Sequence, residues 1–317
     1  MSQITQELEK FHALHNQFKI LQGYSQIDAY GFTTAPTPDI LFTAITHGNE
    51  VIGLQSVNLF LEKVVKSSLS APFTFAIILN NIQAYEKNER FIDKDLNRSF
   101  HITDKPSGII NIAQTNTYEY GRARQIETAI RKLKPKLIID LHQTSAPTLS
   151  PFFVAPEDGQ LISMAHTLIP DWPIVCFDSK GFSRDGHTLS EFTRSERMPV
   201  LVIEISQNGF DQSLARIMCE KMFYINFEKL IQPKPSKETV YYQITHQLTK
   251  QTQGVELLPG LANLQPVSDG DVLGYTPNGE ELKSPTQGLL IFPKYGKSAE
   301  TSHELGLIAT RRILKNE

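Results

Sequence analysis

The chain has 317 residues, 40% of them hydrophobic and 21% charged, enough for a sizeable buried core and for one large domain with a small one, or two medium ones. A formal net charge of -3 and a pI near 6.3 leave no basic excess to meet a phosphate backbone, so nucleic acid is not an expected partner. No window approaches the run of about 18 apolar residues that a membrane span needs, so no membrane partner is expected either.

The N-terminal stretch MSQITQELEKFHALHNQFKILQG is amphipathic and lacks the continuous apolar core of a secretory signal. With only Cys176 and Cys219, both beside apolar neighbours and read as buried free thiols, the expected location is cytoplasmic. His12 and His15 form H-x-x-H in this first helix, but no third ligand stands near them, and they read as surface or partly buried residues.

From about residue 40 to 231, short apolar runs alternate with helical patterns. DILFTAIT, FTFAIIL, KLIIDL, PFFVA, PIVCF and PVLVIEI read as strands, and their nearly unbroken apolar character means cover on both faces. Helices are expected over 51–65, 118–133, 161–168 and 212–230. This alternation predicts an α/β fold, a mixed central sheet flanked by helices. At IQPKPSKE, residues 231–238, two prolines and several charges suggest a linker; the tail beyond it is strand-like, with turn signals at PNGEE and PTQG. The expected division is an α/β domain over 1–232 and a small β-rich domain over 233–317. Nothing in the sequence fixes an oligomeric state.

Chemistry collects where strands of an open α/β sheet end at their C-terminal edge. There DILFTAIT runs into His47 and Glu50, an imidazole and a carboxylate three positions apart on one tight loop. By itself H-x-x-E also fits a loop histidine beside a glutamate that complements a helix dipole. KLIIDLHQTSA ends in a second histidine, His142, and two histidines with one glutamate form a hydrolytic zinc set that leaves a fourth position for water. Asp140, two residues earlier, either orients an imidazole or caps a loop. Glu204, inside the strand of MPVLVIEISQNG, is costly to bury without a partner; it either moves a proton in the crevice or ends an edge strand in solvent. NERFIDKDLNRSF carries Arg90, Asn97 and Arg98, a composition that suits carboxylate binding and oxyanion stabilisation, and suits a solvated loop equally.

Together THGNE, RFIDKDLNRSF, DLHQTSA and VLVIEIS, in that order, resemble the succinylglutamate desuccinylase/aspartoacylase family, a branch of the zinc carboxypeptidase-like hydrolases; the similarity runs from about residue 40 to the end. The resemblance implies one zinc ion on His47, Glu50 and His142, Glu204 as general base and acid, and Arg90 polarising the scissile carbonyl. It further implies that Asn97, Arg98 and Arg194 hold substrate carboxylates, and it makes Tyr295 the nearest candidate for a substrate-binding tyrosine from the C-terminal domain. The expected activity is removal of an acyl group, succinyl or acetyl, from a small anionic N-acyl amino acid. A peptide-directed metallocarboxypeptidase and a zinc-containing binding or regulatory protein of the same fold are the alternatives.

Overall fold

The structure, a computed structural model, describes residues 1–18, 25–28, 30–68, 71–101, 116–178, 187–233, 238–250, 254–296, 299 and 303–315. In chain order the elements are α1 (Gln3–Phe18), β1 (Ser25–Asp28), β2 (Gly31–Thr33), β3 (Ile40–Ala44), α2 (Ile52–Lys66), β4 (Phe75–Leu79), α3 (Ile82–Lys87), a 3-10 turn (Leu96–Arg98), α4 (Tyr118–Leu133) and β5 (Leu137–Thr144). They continue with β6 (Phe152–Pro156), α5 (Gly159–Leu168), β7 (Ile174–Phe177), α6 (Leu189–Ser195), β8 (Val200–Gln207), α7 (Gln212–Phe223) and α8 (Phe227–Ile231). The strands β9 (Glu238–Thr249), β10 (Glu256–Leu257), β11 (Gln265–Val267), β12 (Val272–Tyr275), β13 (Glu281–Lys283), β14 (Gly288–Ile291) and β15 (Glu304–Lys315) complete the chain. This is a mixed α/β fold with a strand-rich C-terminal region. Among the described residues no helix is long and apolar enough to cross a membrane.

The chain forms two compact units, one of Met1–Gln143, Gly181–Ile203 and Gly209–Gln232, the other of Thr144–Lys180, Glu204–Asn208 and Pro233–Glu317. In the first, the strand order is β1-β2-β4-β3-β5, with β3 parallel to both β4 and β5, and β2 antiparallel to β1 and β4. The strands β3, β4 and β5 are buried along their whole length, which is why β3, β4 and the first half of β5 show no polar alternation. Period-two geometry sends neighbouring residues to opposite faces. Phe42 points toward α2, its ring centroid 5.4 Å from that of Phe60, while Leu41 joins Ile78, Ile138, Ile126, Ile130 and Phe192 in a cluster roofed by α4 and α6. Gly53 lets α2 approach closely: a Cβ there would lie 3.2 Å from the Ala44 Cβ and 3.3 Å from that of Leu141.

In the second unit β6, β7 and β9 run parallel, and β9, β15, β14 and β11 continue antiparallel. A separate sheet pairs β10, β12 and β13. An apolar cluster drawn from both sheets of this unit includes Leu248, Leu257, Leu273, Leu290, Leu305 and Ile308. Of the expected linker at 231–238, Ile231 ends α8, Glu238 begins β9, and 234–237 lie outside the described residues.

Three differences from the sequence reading have physical causes. The helix expected over 212–230 breaks at Tyr224, and Asn226 restarts it as α8 by accepting the Lys229 amide hydrogen at 3.1 Å, a cap that asparagine favours over continuation. The strands β1 and β2, too short and polar to announce themselves, exist as a hairpin on the edge of β4. His15 is fully buried, stacked on Phe11 and Phe32 at centroid distances of 5.8 and 5.2 Å, because α1 turns that side toward the core. Both cysteines are free and buried as expected, and burial pushes the Cys176 thiol up to about 12 and that of Cys219 to about 11, out of reach of ordinary thiolate chemistry.

Candidate metal centre

At the end of β3 the backbone turns sharply at Ile45, whose φ of 54° is rare for a β-branched residue. The turn is held from the end of β4: Asn80 donates its amide hydrogen to the Ala44 carbonyl at 2.9 Å and Asn81 does the same to Ile45 at 3.0 Å. It delivers His47 and Glu50 to the strand edge before α2 begins. Only glycine fits at position 48, where a Cβ would come within 2.1 Å of the Ala84 backbone carbon. Parallel pairing of β5 with β3 brings Asp140 opposite Thr43 and carries His142 to the same edge.

His47, Glu50 and His142 converge with their ligand atoms all within 4.8 Å of one another. Glu50 bridges the rings: Oε1 lies 2.6 Å from His47 Nδ1 and Oε2 lies 2.7 Å from His142 Nδ1. Behind, His142 Nε2 meets Asp140 Oδ2 at 2.8 Å. Asp140 is itself held, as Thr43 and Thr46 donate their hydroxyls to Oδ1 at 2.7 and 3.2 Å. The Gln143 amide donates to Glu50 Oε2 at 3.2 Å, and the Gln143 side chain accepts the Ile52 amide hydrogen at the start of α2. All four site residues, Asp140 included, are between 1% and 4% exposed, so bulk water does not screen these charges.

The donor set fits a divalent cation. His142 faces a carboxylate oxygen at each ring nitrogen, and a neutral imidazole has only one N–H. Either a second proton or a metal ion must sit at one of those contacts, and the Asp140 contact is the usual arrangement behind a metal-bound histidine. The electrostatics agree. Burial alone would lower the basicity of His142, but Asp140 and Glu50 overcome it and hold the imidazole well above its usual range. Burial likewise opposes ionisation of Glu50, and the two neighbouring imidazoles outweigh it, leaving the carboxyl well below the usual carboxylate range.

A second loop closes on His47. Asp95 Oδ1 lies 3.1 Å from His47 Nε2, and Arg90 Nη2 lies 2.8 Å from the same nitrogen. Arg90 also donates to Asp95 Oδ2 through Nε and Nη2 at 3.2 and 3.0 Å, and its Nη1 is 3.5 Å from Glu50 Oε1. Burial works against the Asp95 charge, yet His47, Arg90 and Arg98 drive its carboxyl far below the ordinary range. Asp95 was not singled out from sequence; the signal available was its place just before L-N-R, where a short side chain caps a turn, and it does accept the Asn97 amide hydrogen at 2.8 Å.

The remaining predicted residues are placed as follows. Asn97 and Arg98 form the 3-10 turn, with Asn97 Oδ1 accepting the Leu189 amide hydrogen at the start of α6 at 2.9 Å. Arg98 donates from Nη1 to the Asn97 carbonyl at 2.7 Å. Arg194 lies on α6, partly buried. In the second unit, Glu204 is a buried residue of β8, and Tyr295 packs against the C-terminal core with its hydroxyl 3.0 and 3.1 Å from the Leu258 and Leu261 carbonyls.

Fold and site thus define an α/β protein whose parallel strands end in a buried His-Glu-His ligand set. Residues 36–219 match the family model for the succinylglutamate desuccinylase/aspartoacylase catalytic domain, and the chain belongs to that family. A probable aspartoacylase of Prochlorococcus marinus (strain MIT 9301) is 40% identical over 110 residues, 34% of this chain and 35% of the relative. An N-acyl-aromatic-L-amino acid amidohydrolase (carboxylate-forming) of Xenopus tropicalis is 33% identical over 129 residues, 39% of each chain. The sequence match therefore spans little more than a third of these curated relatives. Among solved structures, succinylglutamate desuccinylase from Vibrio cholerae superposes with a TM-score of 0.66 at 16% identity, covering 91% of this chain and 86% of that one. Murine aminoacylase 3 gives 0.66 at 19% identity, covering 88% and 97%. At these identities the likeness is one of fold.

Proposed function

We propose that the chain is a zinc-dependent amidohydrolase that removes an acyl group from a small anionic N-acyl amino acid. The observation that carries this reading is the placement of His142, caught between Glu50 and Asp140 with an acceptor at both ring nitrogens. Such an imidazole is pre-set for a cation on its Nδ1 side, where His47 Nδ1 also points. His47, Glu50 and His142 would hold the ion, and nitrogen and oxygen donors of this kind suit zinc. Bound there, zinc supplies an acidified water and a Lewis acid for a carbonyl oxygen.

The chain's own groups do the rest. Glu204 takes the proton of the attacking water on its carboxylate and returns it to the leaving nitrogen as the C–N bond breaks, giving a carboxylate and a free amine. The Arg90 guanidinium donates to the developing oxyanion. Arg98 and Arg194, with the Asn97 amide nitrogen, bind substrate carboxylates; the Asn97 oxygen is engaged by Leu189, which aims the amide as a donor. Two guanidinium groups select an anionic substrate, and the names carried by the relatives point to an N-acyl amino acid. The C-terminal segment from Pro233 is proposed as a domain of its own, with Tyr295 contributing to substrate binding.

The test is incubation of zinc-loaded protein with N-acetyl and N-succinyl aspartate and glutamate, N-acetyl aromatic amino acids and a set of longer peptides, following amine release. Cleavage of an acidic N-acyl amino acid is expected, with Glu204→Gln keeping zinc and losing at least about 100-fold in kcat. Cleavage of the longer peptides alone, or unchanged function in Glu204→Gln, overturns the reading.

A further inference from the structure

The loop that carries Arg90 and Asp95 has no regular structure between α3 and the 3-10 turn, yet both residues meet His47 at hydrogen-bond distance. What holds it is a buried carboxylate outside the ligand set. Glu119, in the first turn of α4, is 0% exposed and accepts three consecutive backbone hydrogens: Ile92 N–H to Oε1 at 2.6 Å, and Asp93 and Lys94 N–H to Oε2 at 3.1 and 3.2 Å. Asn81 Nδ2 donates to Oε1 at 3.4 Å. In return Asp93 Oδ2 accepts the Tyr118 amide hydrogen at 2.8 Å, so loop and helix start are locked in both directions. Three successive amides converging on one point form a nest that favours an anion, and the positive end of α4 adds to it.

The flanks of the nest are the residues that matter. Two positions before it, Arg90 accepts the Gly48 amide hydrogen on its carbonyl at 3.1 Å, tying the loop to the His47 turn. One position after it comes Asp95. We propose that Glu119 is a positioning residue: by gripping residues 92–94 it sets Arg90 and Asp95 against His47, and so fixes both the orientation of a metal-bound imidazole and the aim of the guanidinium at the scissile carbonyl. In its second part the inference rests on the reaction proposed above; in its first it does not.

Glu119→Gln keeps size and puts an amide donor where one loop N–H now finds an acceptor. Zinc affinity, measured by chelator competition, is expected to fall about tenfold, as it does when a partner behind a metal ligand is lost. Hydrolysis of the best N-acyl amino acid should fall by a similar or larger factor in kcat, with KM changing less than threefold. Glu127→Gln, a buried carboxylate on the same helix that accepts the His101 amide hydrogen, is the control, with zinc affinity and kcat expected within twofold of the parent. In an Asp95→Asn background the zinc effect of Glu119→Gln should shrink clearly below its size in the parent, because one of its two routes to His47, the other being Arg90, is already cut. Unchanged zinc affinity and kcat in a folded Glu119→Gln protein overturns the proposal, as does a full tenfold effect persisting beside Asp95→Asn. Should Glu119→Gln fail to fold, Glu119→Asp, which keeps the charge and shortens the reach, is read by the same zinc criteria. If the parent hydrolyses no N-acyl amino acid, the reaction reading fails while the zinc measurements still decide the role of Glu119.

Discussion

Two buried carboxylates of the first unit, Glu50 in the candidate ligand set and Glu119 beneath residues 92–94, show two different solutions to one problem. Glu50 sits mainly among ionisable and charged side chains: an imidazole on each oxygen, the Arg90 guanidinium beyond, and a single backbone hydrogen from Gln143. Glu119 sits among neutral backbone hydrogens. Burying a charge is costly unless it is paired or fully hydrogen-bonded, and each residue meets one of those conditions. The difference teaches what each region can do. A carboxylate satisfied by amides is complete in the folded chain and makes a rigid support. A carboxylate whose neighbours are imidazoles stays ionised and leaves each shared contact open to a proton on the ring nitrogen or to a cation, so its surroundings respond to both.

The largest test of that contrast is Glu50→Gln. Zinc affinity should fall by at least about 100-fold, and the rise in Tm that zinc at about 100 times its Kd gives the parent should all but vanish, as read by a thermal melt with and without the ion. A zinc-dependent Tm shift surviving in Glu50→Gln would break the comparison. Next in size, Gly48→Ala forces a Cβ into the Ala84 backbone and parts the joint between the two loops; a loss of roughly 3 kcal/mol or more is expected from urea unfolding. Asp140→Asn should then weaken zinc about 10- to 100-fold with little change in fold, since Oδ1 can still accept from Thr43 and Thr46 while the contact to His142 Nε2, the ring nitrogen turned away from the proposed ion, is altered.

The smallest expected effect calibrates the others at an ordinary surface carboxylate. Asp39 accepts from Thr74 and from Lys136 Nζ, and although partial burial pushes its carboxyl upward, those bonds prevail and its pKa lies below the usual value. A depressed folded-state pKa gives stability that is present above the unfolded value near 4 and is lost as pH falls through the folded one. Asp39→Asn should therefore cost no more than about 1 kcal/mol at pH 7, and the gap to the parent should close as urea titrations move below about pH 4. A gap unchanged down to pH 2 would mean that the carboxylate charge contributes nothing.

How much of this was legible beforehand differs residue by residue. His47, Glu50 and His142 could be found because each follows an apolar run that only a covered strand explains, and such strands end where parallel sheets expose their ligands. Asp140 was legible through its spacing of two from His142, which puts both side chains on one face of β5. Asp95 and Glu119 were not. In DKDLNR an aspartate among charges looks solvated, and an acidic residue in the first turn of a helix already has a sufficient local reason in the dipole. Their partners lie 48 and 25 to 27 positions away, and no periodicity reports a contact of that kind. The edge hairpin β1 and β2 escaped for a related reason, since its pairing with β4 supplies what its own residues lack.

By itself the sequence determined the alternation of covered strands and amphipathic helices, and with it the α/β class and the ends of strands at which ligands stand, because burial of apolar side chains leaves a periodic trace. Which loop hydrogens meet which carboxylate was decided only in three dimensions. A backbone amide is identical at every residue, so a nest made of three of them leaves no mark in the sequence until the chain has brought Glu119 to it.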